Sequence, residues 1–339
     1  MVRLRPSSSA RIWLFALGYF ACYAPYSAVT KSLTDGSLSG MERPLSGFEL
    51  LPITVLASVV GMVVFLSAMR WWKHASHIEL FGLRLPHPTQ WTFLSGLATA
   101  SIIGTTTLAY TFDGVSIVFV MLLMRGGVLV MAPVVDALTG RRTRWFSWVG
   151  LGLSLTALVV AFAEKGGYEI TVVCGIDVAV YIASYFVRLR FMSKLAKSED
   201  RSQNIRFFVE EQMVASPMLA LGLGALALMG TGPISNELSV GFTELWALPV
   251  LPQALLVGLL SQGTGVFGGL ILLEPAENTY SVPVNRCSSI LAGVLASYGV
   301  MFVLGGSGPS HHQLAGAGLI VLAVGVLAVP TLRERRAEP

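Results

Sequence analysis

Residues Leu50–Met69 read LLPITVLASVVGMVVFLSAM, a run with no charge in it. A helix rises about 1.5 Å per residue, so a run of this length covers the roughly 30 Å hydrocarbon core of a bilayer. Reading outward, similar stretches lie near 12–30, 91–111, 115–137, 145–163, 170–192, 207–229, 249–273, 277–303 and 312–330. With 49–69 they predict ten membrane-spanning helices. Composition agrees with a membrane protein. Of 339 residues, 54% are apolar and 12% charged, against roughly 25% charged in a soluble domain, and mean hydropathy is +0.69. This excludes an ordinary soluble enzyme, a disordered chain and a DNA-binding domain. Cys22, Cys174 and Cys287 are too few and too scattered for a disulfide framework.

Charge placement supports the same arrangement. Lys and Arg concentrate in cytoplasmic loops. With the N-terminus inside, the inner side receives Arg3, Arg5, Arg11, Arg70, Lys73, Arg84, Arg141, Arg142 and Arg144. It also receives Arg188, Arg190, Lys194, Lys197, Arg201, Arg206, Arg333, Arg335 and Arg336, while the outer side keeps Lys31, Arg43 and Lys165. Both termini are then cytoplasmic, and the pI of about 9.0 needs no nucleic acid. Tyr19, Tyr23, Pro25 and Tyr26 follow the first apolar run where a cleavable signal would carry small residues, so this run is expected to stay as a helix.

The chain divides into a cytoplasmic tail at 1–11, five spans over 12–163, five over 170–330 and a cytoplasmic tail at 331–339. An odd count per half turns the second half upside down, the plan of inverted-repeat transporters. The expected fold class is therefore an all-α integral membrane protein with ten helices in two inverted five-helix repeats.

Two arginines carry the functional reading. Arg125 lies about ten residues into the fourth span and Arg286 about nine into the ninth, which places both about 15 Å deep. Asp113 and Glu274 each stand twelve residues before one of them. A mid-membrane arginine costs several kcal/mol. Either a buried ion pair offsets that cost or an anionic ligand does. Guanidinium matches carboxylate and phosphate with two parallel hydrogen bonds, so the pair points to an anion or a zwitterion.

Other polar positions join the candidate site. Gln262 lies in the middle of the eighth span, and Tyr110 follows the hydroxyls Ser101, Thr105, Thr106 and Thr107 of the third. Tyr181 and Tyr185 share a face with Asp177 on the sixth span. Asp177 is the candidate for proton coupling. Lys31 lies beyond Pro25 at the outer end of the first helix, as a substrate contact or an interfacial lysine. Glu210 and Glu211 read as first-turn acids that favour the helix dipole. The five histidines have no acid or cysteine at metal-ligand spacing, and there is no phosphate-binding Gly-rich loop. No catalytic residue, cofactor or metal is expected.

Leu108–Ala109–Tyr110–Thr111 with Val115–Ser116, Pro133, the turn Thr139–Gly140–Arg141–Arg142, Trp148–Val149–Gly150–Leu151–Gly152–Leu153 and the later Leu314–Ala315–Gly316–Ala317–Gly318–Leu319–Ile320 together resemble the drug/metabolite transporter superfamily. The resemblance covers about 12–330 and lies in the branch holding EamA-like permeases and sugar-phosphate and nucleotide-sugar carriers. It implies a ten-helix, alternating-access carrier working as an antiporter or coupled to an ion gradient. The implied cavity is lined by helices one, three, four, six, eight and nine, with Arg125 and Arg286 similar in role to the basic residues of the phosphate carriers.

The sequence thus leads to a secondary transporter, not an enzyme, for a small organic anion, phosphate-bearing compounds included. The alternatives are an exporter of amino acids or related zwitterions, a lipid or polyprenyl-phosphate flippase, and a non-transporting membrane enzyme or scaffold. Partners are the solute and membrane lipids, with no nucleic acid. Monomer and homodimer stay open, and the expected location is a bacterial plasma (inner) membrane.

Overall fold

The structure, a computed structural model, describes residues 8–109, 117–162, 172–304 and 311–337. Its helices are α1 (Ser8–Thr34), α2 (Gly47–Ala68), α3 (Gln90–Leu108), α4 (Ile117–Leu138), α5 (Trp145–Phe162) and α6 (Val172–Leu195). They continue with α7 (Arg201–Leu228), α8 (Pro233–Thr243), α9 (Leu251–Leu273), α10 (Asn278–Leu304) and α11 (His311–Ala337). Between α2 and α3 an antiparallel pair, β1 (Ser76–Leu80) and β2 (Leu83–His87), runs in register from Ser76 opposite His87 to Leu80 opposite Leu83. Phe81 and Gly82 both adopt positive φ, at 52° and 75°, which is the two-residue hairpin turn that matches strand twist.

This architecture corrects the expected one. The described residues form eleven α-helices, not ten, in an all-α arrangement to which the one short hairpin is added. Among the described residues, six helices are long and apolar enough to cross a membrane: α1 from Arg11, α2, α6, α7, α9 and α10 as far as Val303. The count of ten treated every apolar run as equal. However, α3 carries seven Ser and Thr residues in 19, and the apolar stretch of α11 is only Leu314–Val329. Two inverted five-helix repeats do not emerge either. The helices interleave: α1 packs on α9 and α10, α2 on α7, α8 and α9, α3 on α6 and α7, α4 on α6 and α10, and α5 on α11. The first helix thus lies among late ones.

Local chemistry sets the helix ends. Ser46 and Glu49 form a capping box at the start of α2, and Arg43 grips the Glu49 carboxylate with both Nη atoms at 2.8 and 2.6 Å. Thr89 caps α3 and Asp200 caps α7. Asp136, near the end of α4 and fully buried, reaches the start of α10. Its carboxylate accepts from the Asn278 and Thr279 backbone N–H groups at 2.9 and 2.7 Å and from both side chains at 2.7 and 2.6 Å. The acid therefore satisfies orphan helix-end donors across a helix boundary.

Close helix approach depends on Gly258. A Cβ there would strike the Thr54 carbonyl oxygen. Without one, α9 lies directly on α2, and the Ser58 hydroxyl donates to the Gly258 carbonyl at 2.8 Å.

Candidate functional site

Midway along the bundle is a cavity of about 80 Å³. α1 supplies Tyr19, Tyr23 and Tyr26, spaced so that all three fall on one helix face. Their rings form a continuous edge, with centroids 5.4 and 5.5 Å apart. Tyr181 and Tyr185 of α6 face them, ring centroids 4.8 Å apart. Amides complete much of the rest: Gln212 of α7, Gln262 of α9 and Asn285 of α10. The Gln262 Nε2 donates to Gln212 Oε1 at 3.0 Å. Gly268 leaves the room that Tyr19 and Asn285 occupy, since a Cβ there would lie 3.0 Å from Tyr19 Cε2 and 3.2 Å from Asn285 Nδ2.

Arg286 is the charge at the heart of this lining. It is 3% exposed, and its Nη1 donates to the Tyr181 hydroxyl at 2.8 Å. The guanidinium carbon stands 4.5 Å from the centroid of the Tyr185 ring, a cation–π contact. Nε and Nη2 are buried and have no hydrogen-bond partner among the described residues, and no carboxylate pairs with Arg286 there. Both nitrogens lie on one edge of the guanidinium.

Arg188, also in the lining, shows what that edge does when filled. Its Nε and Nη2 hold the two Glu211 oxygens at 3.0 and 2.7 Å, and Ser95 donates to Glu211 at 2.6 Å. The side chains of Arg188 and Glu211 are 5% and 0% exposed. This pair corrects two expectations. Arg188 is not a cytoplasmic loop charge, and Glu211 is a buried counter-ion rather than a helix-dipole acid. Glu210 is also tied: it accepts from Ser76, Thr89, Thr92 and Arg206.

The expected site residues divide. Arg286, Gln262, Tyr181 and Tyr185 meet in the cavity. Arg125 is 5% exposed and lies behind the lining, where Nη2 donates to the Tyr23 hydroxyl at 2.6 Å. The two arginines therefore do not share the cavity surface, although one tyrosine links Arg125 to it. Lys31 pairs with Asp35 one turn on, with both side chains more than a third exposed, away from the lining. Asp177 is buried, its Oδ2 without a partner among the described residues, and it is not among the lining residues. Tyr110 and Asp113 fall outside the described residues. The hydroxyls of Thr105, Thr106 and Thr107 bond back to their own helix, although Thr99 and Thr106 reach the cavity edge. Sequence reasoning missed the α1 tyrosine face, Asn285 and the Arg188–Glu211 pair. The tyrosine spacing was the available signal for the first.

At one end of the bundle, charges tie the connecting segments together. Arg11 meets Glu274 at 3.3 Å and Arg144 meets Glu277 at 2.9 Å. Burial opposes the charge on Glu277, but hydrogen bonds from Arg144 and Ser147 outweigh it and hold the carboxyl below its usual range. At Glu274 burial wins and raises the carboxyl despite Arg11. Arg141 donates to the carbonyls of Ser193 and Lys197, both at 3.2 Å. Together these contacts clamp the α9–α10 turn against the α4–α5 and α6–α7 links.

No family model matches the chain, and no curated protein matches it. Solved structures do. One crystal structure, described only as that of a protein, aligns over 97% of this chain and 99% of its own, with a TM-score of 0.53 and 16% identity. The chain is similar to that structure in fold.

Proposed function

We propose that the protein is a membrane-embedded carrier of a small organic anion and that Arg286 is the residue that holds the anion. One observation carries the reading: a buried guanidinium in a cavity wall whose Nε and Nη2 have no partner among the described residues. A charge taken out of water and left unmatched is costly. An anion that accepts from both nitrogens would offset that cost, as the Glu211 carboxylate does for Arg188. The edge is closed over by its neighbours in this conformation, so the tyrosine rings beside it shift as the anion enters. Arg125 acts through Tyr23 and is a positioning residue in this account. The depth of the cavity within long apolar helices and the resemblance to drug/metabolite transporters support transport as the outcome of binding.

Proteoliposome flux tests this. Vesicles containing the purified protein should take up radiolabelled short carboxylates or phosphate esters faster than protein-free vesicles. Arg286→Gln should reduce that uptake at least about tenfold, since losing one hydrogen-bonded charge contact costs about 2–5 kcal/mol. Equal uptake by the variant would overturn the proposal.

A further inference from the structure

We infer that the cavity selects a small monocarboxylate with a hydrogen-bond donor on the carbon next to the carboxylate, as in a short 2-hydroxy acid. The inference rests on the anion-carrier reading and narrows its substrate class.

Charge is the first argument. Among the described residues, those lining the cavity include two cations, Arg188 and Arg286, and no acid. Glu211 lies behind Arg188 and neutralises it. The lining therefore presents one unmatched positive charge. A monoanion brings the occupied lining to neutrality, with Arg125 held apart from it behind Tyr23. A dicarboxylate or phosphate dianion would leave a buried negative charge, and a zwitterionic amino acid would leave the positive charge in place. Each residual charge is expensive away from water.

Size is the second. The cavity's 80 Å³ is about half of an engineered 150 Å³ cavity that accepts benzene. The cavity is sized for a molecule of a few heavy atoms, admitted to the Arg286 edge as the tyrosine rings shift, and is too small for a sugar nucleotide or a lipid headgroup.

Asn285 supplies the third. It precedes Arg286 on α10 and lines the same cavity, and its Oδ1 is buried with no hydrogen-bond partner among the described residues. Asn285 thus offers an acceptor in the same small wall as the carboxylate-binding arginine, and in so small a cavity a hydroxyl next to the carboxylate is the group that can meet it. The planar fork of Arg286 suits a planar carboxylate with two parallel bonds.

The test is isothermal titration of the purified protein in detergent with 2-hydroxypropanoate, propanoate, alanine, succinate and glycerol phosphate. 2-Hydroxypropanoate should bind tightest and exceed propanoate by about fivefold, the size of one net hydrogen bond. Arg286→Gln should abolish binding, and Asn285→Ala should shrink the hydroxyl preference to under about twofold. Glu211→Gln releases Arg188 and should turn the preference toward succinate. Should that variant fail to fold, Asn285→Asp takes its place: it neutralises the lining and should exchange 2-hydroxypropanoate binding for alanine binding. Tightest binding of succinate, glycerol phosphate or alanine to the wild type, lost in Arg286→Gln, would overturn the monocarboxylate inference and leave the carrier reading standing. Absence of any Arg286-dependent binding would overturn both.

Discussion

Arg188 closes on Glu211 with Nε and Nη2 at 3.0 and 2.7 Å, both side chains buried. Arg286 has the same two nitrogens buried and, among the described residues, unfilled. The lining thus contains one arginine neutralised from within the protein and one that is not. The first fixes α6 to α7, and the second is left for a ligand to complete once the neighbouring rings shift.

The filled pair should be expensive to break and cheap to replace. Removing one partner of a buried ion pair costs about 3–5 kcal/mol, because the other charge is stranded, whereas apolar replacement of both is often neutral. Glu211→Leu should destabilise by that amount, and Arg188→Met with Glu211→Leu should recover most of it. Denaturation in detergent measures both. A loss below about 1 kcal/mol for Glu211→Leu would mean that the pair does not hold α6 to α7.

Lys197 gives the protein a pH-dependent stability. It lies between α6 and α7, is 3% exposed, and donates to Asn278 Oδ1 and Ser281 Oγ at 3.1 and 3.0 Å. Burial, with repulsion from Arg141, pushes its ammonium from 10.5 down to about 7 against the pull of Asp136, Glu277 and Glu274. The folded pKa is below the unfolded one, so between those two values the unfolded chain binds more protons. Stability then rises with pH across the window, by up to about 1.4 kcal/mol per unit, and levels off below it. Lys197→Met should flatten the rise. The difference in melting temperature between wild type and variant, followed from pH 7 to pH 9, reads the effect; parallel curves would remove Lys197 as the source.

Helix contact makes a separate prediction at Gly258. A Cβ there would run into the Thr54 carbonyl oxygen, which cannot move without its helix. Gly258→Ala should therefore cost about 1–3 kcal/mol, as overpacking does. Gly265 on the same helix faces open space. Gly265→Ala should be neutral or slightly stabilising, since alanine is the better helix former. Equal melting temperatures for the two variants would contradict the close approach of α2 and α9.

Much of the helical order was legible in sequence because apolar runs such as Leu50–Met69 are interrupted by loops rich in charge and glycine. The number of spans among the described residues was not, α3 being diluted by hydroxyls and α11 apolar over a shorter length than its helix. The hairpin left a trace that was readable: Ile78 and Leu80 alternate with polar residues before Phe81–Gly82, and Leu83 and Leu85 do so after it. In the site, Arg286 and the Tyr181–Tyr185 pair followed from depth and spacing. Arg188 did not, because its basic neighbours Arg190 and Lys194 made it look like a loop charge. Only the packing of α6 near α7 brings it to Glu211, and that contact is tertiary. For the same reason equal depth could not reveal that Tyr23 stands between Arg125 and the cavity.

The central claim is that Arg286 is kept for a ligand and not for the fold, and replacing its charge with an apolar side chain of similar length separates the two. Thermal unfolding of wild type and Arg286→Met, each with and without 2-hydroxypropanoate, is the most direct measurement. An unmatched buried charge burdens the empty protein, so the account predicts that the variant melts at or above the wild-type temperature and that added anion stabilises only the wild type. A variant that melts well below wild type, while still gaining the full stabilisation from the anion, would contradict it.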